Sequence, residues 1–160
     1  MGRIKKPVLR PPDPLTSVCQ FVVKGVRSLE GEARKRSVVD YESERRYLRG
    51  YCMSPGVSFY RYPNGSMWLY AFFRLHKGDM DDVVQWPFRH KIKLRVIHPK
   101  GAEEQELVER PYGLEASCQR LQVGRGQDSY RTAAFFYLKD LISGGYVEHD
   151  QLRVMFELLP

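Results

Sequence analysis

A chain of 160 residues can bury one core without disulfides or metal and is too short for a string of domains. Hydrophobic residues make up 42% of it and aromatics 12%, which excludes a disordered segment, because so many large side chains can offset the entropy of ordering. The net charge of +7 is biased to the N-terminal side, with 20 Lys and Arg against 9 Asp and Glu in residues 1–100 and 6 against 10 beyond, yet it is spread through strands and loops as a solvated surface is.

In chain order, residues 1–14 read as a basic, flexible tail, since four prolines, ending in Arg10-Pro-Pro-Asp-Pro14, forbid a helix. The tail has no apolar core of a secretory signal, and Lys6 stands where a myristoylation motif needs Ser or Thr. Residues 15–160 read as one domain. From Ser17 to Gly25 the apolar run reads as a largely buried strand, and residues 27–49 are charge-rich, with Tyr41–Tyr47 either a helical turn or an irregular edge. Val57–Tyr62 and Trp68–Leu75 read as two strands joined at Asn64-Gly65, a pair that tolerates the positive φ of a tight turn. Ile92, Leu94 and Val96 alternate with Lys91, Lys93 and Arg95, the pattern of a strand with one face in a core and one in water. Thr132–Leu138 and then Leu152, Val154, Phe156 and Leu158 repeat it, separated by a loop at Gly144-Gly145. Only Tyr137–Ile142 shows a helical period. Short strands at this spacing predict an all-β, antiparallel sandwich.

Catalytic and metal signatures are weak. Cys19, Cys52 and Cys118 are odd in number, widely spaced and without a CxxC pair, which reads as reduced core thiols. A Cys118–His149 dyad and an Asp79, Asp81, Asp82 metal cluster have no supporting residues, and the aspartates read as turn caps. Gly124-Arg-Gly126 lacks the third glycine and the helix of a phosphate loop. The apolar run Met67–Phe73 is too short to span a bilayer. We therefore expect no enzyme, no cofactor, no metal and no membrane insertion, and a cytoplasmic location.

A more specific pattern runs through Gly50-Tyr51, Asn64-Gly65, Trp68-Leu-Tyr-Ala-Phe-Phe-Arg-Leu-His-Lys-Gly78, Asp81, Trp86-Pro-Phe88, Lys91-Ile-Lys-Leu-Arg-Val, Arg110-Pro111, Ser117-Cys-Gln-Arg120 and Tyr146-Val-Glu-His-Asp150. It resembles the MATH domain of the TNF-receptor-associated factors over about residues 17–158. The resemblance implies an eight-stranded sandwich that binds short extended peptides of receptor tails or signalling adaptors along a sheet edge and groove, with other TRAF-like proteins as further partners. It implies a peptide site at Tyr62, Phe72, Arg110, Pro111, Ser117 and Cys118. Departures from the family pattern are Tyr60 in place of an arginine, Glu109 in place of a phenylalanine, and Glu115 and Ala116 in place of serines. These predict a preference for ligands carrying Lys or Arg near Glu109 and Glu115. The tail carries no heptad repeat and the chain no zinc-finger cysteines, which predicts a stand-alone or truncated adaptor. Alternative readings are a substrate-recognition module for a ubiquitin ligase and a binder of anionic surfaces or nucleic acid; nucleic acid is the less favoured partner.

Overall fold

The structure, a computed structural model, describes residues 15–121 and 128–160; the expected tail and the Gly124-Arg-Gly126 loop lie outside them. The chain runs β1 (Val18–Lys24), α1 (Val26–Arg36), β2 (Val38–Glu42), β3 (Arg46–Leu48), β4 (Tyr51–Arg61), β5 (Met67–Leu75), β6 (Lys91–Ile97), β7 (Gln105–Glu109), β8 (Ser129–Tyr137), α2 (Leu138–Ser143), β9 (Val147–Glu148) and β10 (Gln151–Leu159), with a short 3-10 turn at Ala116–Cys118. A front sheet has the order β2-β4-β5-β8 and a back sheet β1-β10-β6-β7, all pairs antiparallel. Those eight principal strands form the sandwich the sequence predicts. The short β3 and β9 pair onto β4 and β10.

Alternation of side chains along each strand divides core from surface. Ile92, Leu94 and Val96 of β6 and Leu152, Val154, Phe156 and Leu158 of β10 are fully buried, facing Phe59, Leu69, Ala71 and Phe73 of the front sheet. The two layers meet ring to ring, Phe73 lying 6.5 Å from Phe156. Tyr51 closes one end, edge-on to Phe88 at 4.9 Å and to Trp86 at 5.3 Å, its hydroxyl donating to the Gln85 carbonyl. The Trp86–Pro87 bond is cis, and the Phe88 amide donates to the Cys118 carbonyl at 2.8 Å, which ties this segment to the 3-10 turn.

One expectation needs correction. Residues 26–36 form a helix, where the sequence showed only charge: its apolar side is just Val26, Leu29 and Ala33, its exposed side carries Gly31, and its start, Gly25, has no capping side chain. Of the two readings left open for residues 41–47, the irregular edge is the one that forms, β2 ending at Glu42 and β3 starting at Arg46. The Asn64-Gly65 turn forms as read, Gly65 at φ 88 and Tyr62 bonded to Ser66 across it.

Candidate functional site

Whatever this domain holds must be held on a surface, and the outer face of the front sheet is unlike the rest. Along β5 the core takes Leu69, Ala71 and Phe73, so Trp68, Tyr70, Phe72 and Arg74 are turned outward. Cross-strand register places Tyr60 beside Trp68, Ser58 beside Tyr70, Phe135 beside Tyr70 and Tyr137 beside Trp68. Tyr62 stacks on Trp68 with centroids 3.5 Å apart, and Trp68 stacks on Phe135 at 3.8 Å, a ladder three rings deep. Tyr60 meets Tyr62 edge-on at 5.1 Å, and Tyr137 caps Phe135 in the same way at 5.2 Å. Such pairs contribute roughly 0.5–1.5 kcal/mol each beyond burial, so the cluster is a rigid platform.

Beside it lies a recess of about 260 Å³, lined by Val38, Tyr60, Tyr62, Tyr70, Arg131 and Thr132. Arg131 reaches from β8 across β5, its Nε donating to Ser58 Oγ at 3.0 Å and its Nη2 to Asp40 Oδ2 at 2.7 Å. Asp40 thereby neutralises the guanidinium and fixes it as one wall. Burial, with the hydroxyls of Tyr62 and Tyr60 close by, raises the Tyr70 phenol above its ordinary range, so it stays protonated and able to donate. Ring walls with hydroxyl and guanidinium donors at the rim suit an apolar side chain flanked by backbone carbonyls.

At the edge strand β8 the pairing to β5 slips between Tyr70 and Phe72, because β8 carries a two-residue bulge there. The Thr132 hydroxyl replaces the lost ladder bond, accepting the Ala71 amide at 3.1 Å. The Ala133 and Ala134 amides, which the bulge releases from β5, donate to the Glu109 carboxylate at 2.9 Å.

The six residues the resemblance implied are not all brought together. Tyr62 lines the recess. Phe72 is on the same outer face but fully buried, with Arg74 over its ring at 5.7 Å and Gly56 opposite, where a Cβ would come within 3.1 Å of the ring. Arg110 is exposed and donates to the Arg89 carbonyl at 2.6 Å, and Pro111 beside it is buried. Ser117 and Cys118 sit in the 3-10 turn against β5 and β8. Cys118 belongs to the hydrophobic core, where burial pushes its thiol up to about 11, so it presents no surface to a ligand. Tyr62 stacks on Trp68 near the start of β5, whereas the Cys118 carbonyl takes the amide of Phe88, whose ring lies against Phe73 further along that strand. The Glu109 carboxylate, where a preference for Lys or Arg was expected, accepts the Ala133 and Ala134 amides of β8.

Sequence reasoning met Tyr60 only as a departure from the family pattern and did not place Trp68, Tyr70, Phe135, Tyr137 or Arg131 at the site. The signal that could have found them is a second, outward-facing set of aromatics two residues apart in strands whose other face is already apolar. Elsewhere, the Asp81 carboxylate caps the turn at Gly78, and no group of three or more His, Cys, Asp or Glu side chains suited to a metal gathers among the described residues. No helix among the described residues is long and apolar enough to cross a membrane.

This architecture is that of a known class of interaction domains. Residues 45–155 match the family model for the TRAF/meprin MATH domain, and the chain belongs to that family, whose members are protein-interaction modules. It is 29% identical over 99 residues to TNF receptor-associated factor 6 of Danio rerio, a match that covers 61% of this chain and 18% of that protein's length. Among solved structures, Notothenia coriiceps TRAF5 superposes with a TM-score of 0.71 at 23% identity, covering 90% of this chain and 73% of the other, which establishes the shared fold.

Proposed function

We propose that this domain binds an extended peptide across the outer face of the front sheet, an apolar side chain of the peptide entering the recess beside Tyr60, Tyr62 and Tyr70. The observation that carries this reading is the stacked aromatic platform opening on a recess next to an edge strand, a combination that serves peptide recognition and no evident chemical step. Tyrosine and tryptophan supply large contact areas with little side-chain entropy to lose, as hot spots do. The peptide segments would come from receptor tails or signalling adaptors in the cytoplasm, with other TRAF-like proteins as further partners. The domain itself would perform no catalysis and use no cofactor.

Anionic partners are a poorer match. Two central cations on the outer face of the back sheet are matched within the chain, Arg95 to Glu157 at 3.1 Å and Lys93 to Glu106 at 3.3 Å. A substrate-recognition role in a ubiquitin ligase would use the same groove and differ only in the partner bound.

The test is a peptide-array screen of the wild type against Tyr62→Ala and Arg131→Ala. Binding should fall at least roughly tenfold in Tyr62→Ala, the loss of an aromatic anchor. Equal binding by all three proteins would place the partner site elsewhere, and steep loss of binding with added salt would favour the anionic reading.

A further inference from the structure

An edge strand that offers free amides is a template for another strand, and the amides of β8 at its bulge are not free. Ala133 donates to both oxygens of Glu109, at 2.9 and 3.1 Å, Ala134 donates to Oε1 at 2.9 Å, and the Tyr130 hydroxyl donates to Oε2 at 2.6 Å. The carboxylate comes from the last residue of β7, an edge of the opposite sheet, so one side chain links the β7 and β8 edges of the two sheets. Burial and the adjoining carboxylate hold the Tyr130 phenol above its ordinary range, which keeps it a donor to Glu109.

Building on the proposed peptide-binding reading, we propose that Glu109 is an intramolecular stopper: it occupies the β8 amides that an added strand would use and must swing away before a peptide can pair there. The backbone around it is held independently of that contact. Glu109 is in register with Ile92, Arg110 is bonded to the Arg89 carbonyl, and Pro111 is buried. Release therefore needs rotation of one side chain and no unfolding. Ala71 keeps its bond to the Thr132 hydroxyl whether Glu109 is in or out, so the bulge itself survives. A carboxylate accepting several amide bonds is a strong competitor, because each charge-assisted bond exceeds the neutral bond a peptide carbonyl would offer.

The test is an arrayed library of random dodecapeptides probed with the 160-residue wild-type chain, Glu109→Ala, Tyr130→Phe and Tyr62→Ala, alongside amide hydrogen exchange. In Glu109→Ala, exchange at Ala133 and Ala134 should quicken roughly tenfold while Ala71 stays protected, and captured peptides should bind roughly tenfold tighter than to wild type. Tyr130→Phe, which loosens the carboxylate without touching the amides, should give a smaller gain in the same direction and carries the test if Glu109→Ala fails to fold. Peptides that bind the folded variants no tighter than wild type would overturn the stopper and leave the groove standing. A gain that persists when Tyr62→Ala is added would keep the stopper and move the peptide off the aromatic recess. Capture of no peptide by any of these proteins would overturn both.

Discussion

Phe88 and Trp86 show how two neighbouring aromatics can differ in weight. Phe88 is fully buried among Tyr51 and Phe73, whereas Trp86 is only partly buried and holds its indole N–H on the Asp81 carbonyl at 2.8 Å. Phe88→Ala should cost about 3–5 kcal/mol and Trp86→Ala about 2 kcal/mol, read from denaturant midpoints at constant m. A larger loss at Trp86 would contradict this ranking. His76 gives a pH handle at the same scale. Burial first, then Arg45, pulls its pKa below the ordinary 6.5, with Glu42 opposing. The folded state thus takes up a proton less readily than the unfolded one. Its contribution to stability is intact above pH 6.5 and is lost as pH falls below that value. His76→Gln, which can keep the bond to Ser54 now made at 2.8 Å, should flatten the decline in stability below that pH; an unchanged slope would show that other groups govern it.

At the scale of elements, strands β1, β4, β5, β6, β8 and β10 were legible while β2, β7 and helix α1 were not, for a physical reason. In β6 and β10 every second residue is a large aliphatic or aromatic group, and period two is unmistakable when one face meets a core and the other meets water. Helix α1 buries only Val26 and Ala33 outright, so its period is carried by few side chains, and its stability comes from packing and from pairs such as Glu30–Arg34 at 2.8 Å. Gly31 sits in its middle, and a methyl added there would meet nothing within 4 Å. Gly31→Ala should therefore stabilise the domain by about 0.5–1 kcal/mol, measured as a rise in thermal midpoint. A fall would mean that the helix needs the glycine for a reason its surroundings do not reveal. The β8 bulge was equally hidden, since Thr132 and Glu109 act through hydrogen bonds to backbone that no hydropathy pattern records.

For the molecule as a whole, the family and the sandwich follow from motifs distributed over most of the chain, whereas the binding face does not. Motif positions placed Cys118 and Phe72 at the site, yet one lies in the core and the other beneath Arg74. The platform arises instead from strands brought together by the fold: Tyr62 leaves the end of β4, Trp68 and Tyr70 lie on β5, and Phe135 comes from β8. Resonances or crystallographic contacts of a captured peptide on the wild-type domain would test this assignment most directly. The account requires the bound peptide to perturb Tyr60, Tyr62, Tyr70 and Arg131 on the front sheet while leaving Lys91, Lys93 and Arg95 on the back sheet unmoved. A peptide seated on the back sheet, with the front-sheet aromatics undisturbed, would contradict it.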